Sequence, residues 1–334
     1  MTYDLITVGR VNMDLIAQQI GADFADVKGF DAMVGGSPTN IAIGTARLGL
    51  RSIAFTGVGD DRVGDFVLRY LTDENVVTDF IPRIEGRQTS LALIGVQPPG
   101  DFPLSFYRED PADIYLTVDH AKALPLDASK AVLLSGNAFS RGLVVETSGW
   151  IGDEARSRGL RSFLDLDLRP VEWADQGGYG RAMQAVLPKV EVAIGTEEEF
   201  YEALAAEPKQ ILARGSELTN GQVEELTRAI DRTLAAGDGP DTLVLKRGPQ
   251  GASVATPDGS IDVPGFPVDV VNTVGAGDAF ASGLITKRLQ GWDWFEAVRF
   301  ANACGAIEVT RQGCASALPT EAEVVEFINQ QSAD

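Results

Sequence analysis

Asn272-Thr273-Val274-Gly275-Ala276-Gly277-Asp278-Ala279-Phe280 sets a glycine-rich turn directly against an apolar, helix-periodic stretch that runs from Ala276 to Leu289. Small residues at such a junction let backbone N–H groups converge at a helix N-terminus, where their partial positive charge stabilises phosphate-type oxygens. Asp278 falls in the first helical turn. From there it could accept a proton from a hydroxyl approaching the bound anion. The same residues also fit a plain helix start, with Asp278 as a cap and the glycines as a tight turn.

Outward from this turn, short apolar or β-branched runs alternate with longer periodic stretches. Strand candidates are Leu5 to Gly9, Ser52 to Val58, Ala131 to Ser135, Arg161 to Leu166, Val190 to Ile194 and Thr242 to Lys246. Helical patterns cover Thr39 to Leu48, Gly64 to Glu74, Glu146 to Ser157, Gly180 to Leu187, Gln222 to Ala235, Ala276 to Leu289 and Phe295 to Val309. This order predicts an α/β fold, a doubly wound and mostly parallel sheet with helices on both faces. Two segments, Val11 to Val34 and Thr89 to Tyr115, break the rhythm. Alternation such as Ser90-Leu91-Ala92-Leu93-Ile94-Gly95 predicts antiparallel strands in a small sheet standing off the main body. Pro98-Pro99-Gly100-Asp101 is the expected turn within it, and Ala205 to Gly221 a variable surface loop.

A chain of 334 residues suits one large α/β domain with an insertion, or two domains. Its 48 acidic and 28 basic side chains leave a net charge of −20, which repels nucleic-acid backbones and anionic lipid. Neither nucleic acid nor membrane is expected as a partner. An anionic substrate would have to be drawn in by a local cluster of arginines. No window is apolar enough to span a bilayer and no basic-then-apolar leader follows Met1, so a cytoplasmic location is expected. Cys304 and Cys314 lack metal or redox spacing and read as buried thiols; His120, the single histidine, reads as a solvated loop residue. No G-x-G-x-x-G follows the first strand and no G-x-x-x-x-G-K-[ST] occurs, so phosphate binding must rest on the late glycine turn.

A second junction, Gly35-Gly36-Ser37-Pro38-Thr39-Asn40, leads into the first helix, with Ser37 or Thr39 able to cap it. The paired glycines permit close backbone approach, and Asn40 can donate to and accept from sugar hydroxyls. Together the two junctions resemble the paired signatures of the ribokinase-like, or PfkB, carbohydrate kinases. The resemblance runs from Gly9-Arg10-Val11-Asn12-Met13-Asp14 to Ala301-Asn302-Ala303. It implies a single kinase domain over residues 1–334, with segments 11–34 and 89–115 as a β-sheet lid that could also clasp a homodimer. By position, Asp278 resembles the catalytic base, and the amides of Gly275, Ala276 and Gly277 an anion hole. Asp14, Gly35, Gly36 and Asn40 match sugar-binding positions. ATP is implied at Thr196, at Lys246, Gly248 and Gly251 of the run Lys246-Arg247-Gly248-Pro249-Gln250-Gly251, and at Asn302. Glu198 matches the glutamate that orients Mg2+ through water. Two departures stand out. Gly195 replaces the family's Asn, which implies an altered metal network, and Asn272 replaces its usual Asp, which leaves a K+ requirement open.

Arginines narrow the substrate. Phe106-Tyr107-Arg108-Glu109 belongs to the expected lid, and Arg169 lies in Asp165-Leu166-Asp167-Leu168-Arg169-Pro170 after a central strand. Arg108 and Arg169 could grip the carboxylate or keto oxygen of an acyclic sugar acid, or could serve structural ion pairs. The pattern is similar to 2-keto-3-deoxygluconate kinases. It resembles more closely the 5-dehydro-2-deoxygluconokinases of inositol breakdown, through Arg108-Glu109-Asp110-Pro111-Ala112-Asp113 and Gly195-Thr196-Glu197-Glu198-Glu199-Phe200. That resemblance implies transfer of phosphate from ATP to the C6 hydroxyl of 5-dehydro-2-deoxy-D-gluconate. Fructokinase, nucleoside kinase and a catalytically silent binding protein of the same fold are the competing readings.

Overall fold

A computed structural model describes residues 2–97, 103–173, 175, 177–204, 217–237 and 239–331. The turn expected at 98–101 and most of the loop expected at 205–221 lie outside them. The strands are β1 (Tyr3–Val8), β2 (Asn12–Ala17), β3 (Phe30–Gly35), β4 (Ser52–Phe55), β5 (Val58–Gly59), β6 (Arg83–Ile84), β7 (Ser90–Ile94), β8 (Leu104–Tyr107), β9 (Ser129–Ser135), β10 (Arg161–Asp165), β11 (Val192–Thr196), β12 (Thr242–Lys246), β13 (Ala252–Thr256) and β14 (Gly259–Val263). The helices are α1 (Ser37–Arg47), α2 (Arg62–Asp73), α3 (Val118–Ala121), α4 (Val144–Ser157), α5 (Gly178–Val186), α6 (Glu197–Leu204), α7 (Asn220–Ala236), α8 (Ala276–Leu289), α9 (Trp294–Val309) and α10 (Glu321–Gln331).

The large sheet runs β14-β13-β12-β11-β10-β9-β1-β4, parallel from β12 through β4, with β13 and β14 added antiparallel at one edge. Successive strand residues serve opposite cores, as the two-residue pleat requires. Leu5, Leu133, Phe163, Ile194 and Val244 pack with α1, α8 and α9, whereas Ile6, Leu134, Leu164, Ala193 and Leu245 pack with α4, α5, α6 and α7. Helix α8 is buried along most of its length, from Ala279 to Lys287, which explains why its sequence shows no polar face. The chain leaves β1 for β4 on one side and returns to β9 on the other, so the strand order reverses at β1 and β9. Ligands of open α/β sheets bind beyond the carboxyl ends of the strands at such a point.

The two segments that break the βα rhythm meet in a second sheet, ordered β3-β2-β7-β8. Its outer pairs are antiparallel, as expected, but β2 and β7 pair in parallel because they come from separate excursions of the chain. The edge hairpin β13–β14 and helix α10 were absent from the expected elements; Pro257-Asp258-Gly259 supplies the hairpin turn. His120 is not a loop residue. It sits in α3, where its Nδ1 and backbone N–H form a reciprocal cap with Thr117. Both cysteines are buried thiols, and no helix among the described residues is long and apolar enough to cross a membrane.

Candidate active site

Gly275 caps α8 at φ +101°, a conformation in which only glycine is unstrained. A Cβ there would lie 2.5 Å from Glu308 Oε1 and 3.1 Å from Cys314 Sγ. The turn therefore stays bare, and the N–H groups of Gly275, Ala276 and Gly277 head a helix whose first amides have no intrahelical acceptor. Lys246, the last residue of β12, brings its Nζ to 3.3 Å from the point a Cβ on Gly277 would occupy. An ammonium group thus stands beside the N-terminal end of the helix.

The first helix meets the same place from the other side. Asn40 Nδ2 donates to Asp278 Oδ2 at 2.7 Å and lies 3.1 Å from Cys314 Sγ. Neither Ser37 nor Thr39 caps α1 as expected. Ser37 Oγ instead donates to Asp165 Oδ2 at 2.8 Å and also hydrogen-bonds Asp278, while Thr39 Oγ1 donates back to the carbonyls of Gly35 and Gly36. Asp165 accepts Lys246 Nζ on its other oxygen at 3.2 Å. Asn40, Asp278, Ser37, Asp165 and Lys246 form one continuous polar chain. Burial raises Asp278 above the ordinary carboxylate range, helped by Asp167 and opposed by Asn40, Ser37 and Arg169. Burial likewise pushes Asp165 up to about 6 against the pull of Lys246. Lys246 itself would be lowered by burial, but Asp165 and Glu199 outweigh this and hold it charged.

Beside this chain stand residues of the loop after β1, the second sheet and the loop after β10. Gly35 and Gly36 allow the backbone to pass the Asp14 carboxylate and the Arg10 carbonyl, where any side chain would collide. Asp14, on β2, accepts from Asn12 Nδ2, and burial pushes it up to about 7 while nearby Arg10 opposes this. Phe106 on β8 lies against the Arg10 guanidinium, 5.7 Å from ring centroid to Cζ. Arg108 is buried and fully engaged, donating to Asp113 Oδ2 at 2.6 Å, Glu172 Oε1 at 3.0 Å and Ser90 Oγ at 3.1 Å. Arg169 pairs with Asp167 Oδ1 at 2.8 Å. The structural pairing open to both arginines is therefore made, although Arg169 also feels the charges of Asp278 and Asp165.

Asp14 yields a stability prediction. Its folded value of about 7 lies above its ordinary 3.8, so between those pH values the folded protein keeps a proton that the unfolded chain has lost. The stability tied to neutral Asp14 is complete below 3.8 and is lost as pH rises through about 7. Asp14→Asn, which keeps an acceptor for Asn12, should raise the thermal midpoint at pH 8 and lose that advantage towards pH 4. A pH-independent difference in midpoint would refute the assignment.

The family model described as "pfkB family carbohydrate kinase" matches residues 3–321. The chain belongs to that family. Among curated proteins it is 33% identical over 328 residues to a 5-dehydro-2-deoxygluconokinase of Bacillus anthracis, covering 98% of this chain and 95% of that one. Among solved structures it is similar to a fructokinase of Xylella fastidiosa with bound ATP (25% identity, TM-score 0.82, 99% of this chain and 100% of that chain). A protein of E. coli solved with ATP and Mg2+ matches equally well (25% identity, TM-score 0.82, 98% and 99%). The protein is thus a carbohydrate kinase with the ribokinase-like α/β fold.

Other positions matched to the pfkB family take defined places. Thr196 ends β11, and its hydroxyl and N–H exchange hydrogen bonds with Glu199 to start α6; Glu198 lies buried in the first turn of that helix. Gly248 and Gly251, both at positive φ, shape the turn between β12 and β13, and Arg247 N–H donates across it to the Gly251 carbonyl at 2.8 Å. Asn302 on α9 donates to the carbonyls of Val263 and Pro264, tying α9 to the end of β14. Gly195 is explained by packing, because a Cβ there would come 2.5 Å from Leu166 Cδ1. Asn272 donates to the Gly313 carbonyl at 2.8 Å and accepts from Val274 N–H at 2.9 Å, roles that an aspartate could fill only in half. Arg10, Ser37, Asp165 and Asp167 escaped the sequence reading as site residues. The acid-apolar-acid alternation at the carboxyl end of β10 was the available signal for the last two.

Proposed function

We propose that this kinase transfers the γ-phosphate of ATP to the C6 hydroxyl of a sugar acid, 5-dehydro-2-deoxy-D-gluconate. The observation that carries the reading is the 2.7 Å hydrogen bond from Asn40 to Asp278, which unites the sugar-side junction with the phosphate-side turn in one site. Support for the substrate is the likeness to curated 5-dehydro-2-deoxygluconokinases and the closeness of Arg10, Arg108 and Arg169, which feel one another's charge.

In this mechanism Asp14, Gly35, Gly36 and Asn40 hold substrate hydroxyls, while Phe106, Arg108 and Arg169 shape and charge the acid end. Asp278 takes the proton of the attacking hydroxyl, a contribution of roughly 10²–10⁴-fold. The amides of Gly275, Ala276 and Gly277, with Lys246 beside them, receive the charge that grows on the transferred group. Nucleotide contacts fall to Thr196, Gly248, Gly251 and Asn302. Glu198, buried in the first turn of α6, would hold Mg2+ through water, a role that asks for few direct protein ligands. When bound, the ion neutralises phosphate charge. The second sheet, as a lid over residues 11–34 and 89–115, would exclude water from the sugar. Its edge strand β8 exposes Leu104 and Tyr107, a surface on which a second copy could clasp, and light scattering of Tyr107→Glu against the unaltered chain tests that dimer.

The deciding assay couples ADP release to a panel of sugar acids, neutral ketoses and nucleosides. The reading stands if 5-dehydro-2-deoxygluconate has the highest kcat/KM, and fails if fructose or a nucleoside exceeds it. The same assay answers the potassium question. Because the Asn272 amide satisfies the Gly313 carbonyl directly, turnover should be equal in potassium and in tetramethylammonium salts. Strong activation by potassium would overturn that expectation.

A further inference from the structure

We infer that Arg10 reads the carboxylate of the substrate and sets the preference for an acid over a neutral sugar. The inference deepens the proposed function and rests on it. Arg10 follows β1 at the point where the strand order reverses, the place where open α/β sheets bind ligands. It is 6% exposed, yet its Nε has no hydrogen-bond partner among the described residues. The nearest acid, Asp167, stands 3.7 Å from that Nε and is already engaged by Arg169 at 2.8 Å and by Ser135 Oγ at 3.1 Å. Two guanidinium groups thus share one carboxylate. A buried cation held so loosely is costly unless an anion completes it.

A second unmet donor lies on the turn that follows the neighbouring strand, β9. Val8 of β1 pairs with Leu134 of β9, so the register carries Arg10 opposite the turn at Gly136 and Asn137. Asn137 is 2% exposed, and its Nδ2 likewise has no partner among the described residues. Ser135 and Ala138 of the same turn flank Gly9. Buried, unmet donors on the two neighbouring strand ends suit a ligand oxygen pair, which a carboxylate provides. Arg108 and Arg169, by contrast, already have close partners. Phe106 over the Arg10 guanidinium adds a lid contact to the same group, so acid binding and placement of β8 are linked.

The test compares 5-dehydro-2-deoxygluconate with its C1 amide, a neutral analogue of the same shape, by calorimetry and by kcat/KM. The unaltered enzyme should favour the acid over the amide. Arg10→Gln should lower kcat/KM for the acid by about 10- to 100-fold, leave the amide little changed, and leave KM for ATP unaltered. Arg10→Lys keeps the charge without the planar fork and should fall between; it also carries the test if Arg10→Gln fails to fold. Equal losses on acid and amide, or undiminished acid binding in a folded variant, would overturn the role of Arg10. An unaltered enzyme that turns over the acid but favours the amide equally would do the same. An unaltered enzyme that neither binds nor phosphorylates the acid would instead sink the proposed substrate, a result read before any variant is made.

Discussion

Asp278→Asn should lower kcat by at least about 10²-fold while KM for ATP stays near its original value. The amide cannot take a proton from the attacking hydroxyl, but it keeps an oxygen that can accept from Asn40 and Ser37, so the local structure survives. The pH profile distinguishes this from a simple packing defect. Burial and the charge of Asp167 hold Asp278 above the usual carboxylate range, so the base form appears only as pH rises, and kcat should climb with it. The residual rate of the asparagine variant should lack that acidic limb. Near-normal turnover, or an unchanged limb, would refute Asp278 as the base.

The readable parts of this molecule were those written in contiguous residues. Strand Thr242–Lys246 and helix Ala276–Leu289 have the expected ends because the first is a short apolar run bounded by Thr242 and Lys246 and the second starts at a glycine turn. The Asn40 to Asp278 contact spans 238 residues but was legible, since each partner sits in its own recognisable junction. The chain from Ser37 through Asp165 to Lys246 was not. Its links span 128 and 81 residues, and with 48 acidic side chains available no local pattern selects Asp165 as the partner. Ser37 was read as a helix cap for a related reason. A serine at a helix start satisfies the capping rule, and only the tertiary approach of β10 diverts its hydroxyl. Arg10 was invisible as a ligand group because its significance is an unmet hydrogen bond, which no sequence pattern records.

Lys246→Met should lower kcat by about 10²- to 10³-fold, the range expected when one preorganised donor to a developing negative charge is removed. Methionine fills similar space without charge, so the fold should hold. Two explanations of such a loss are separable. If Lys246 acts only by restraining Asp165, then Asp165→Asn should cost nearly as much alone, and the double variant should be no worse than either single one. If Lys246 acts on the phosphate, as its place beside Gly277 implies, the double variant should remain as slow as Lys246→Met, and Asp165→Asn alone should be much milder. Removing the ammonium also deprives Asp165 of the charge that opposes its rise from burial, so in Lys246→Met that carboxyl should titrate above about 6. Beside Asp278, a neutral Asp165 no longer repels the base. Lys246 also attracts ionised Asp278 directly, so the clean test of the carboxylate pair is Asp165→Asn with Lys246 in place. Relieved of that repulsion, its acidic limb should move to lower pH, and a limb that stays or moves upward would show that the two carboxylates are not linked in this way.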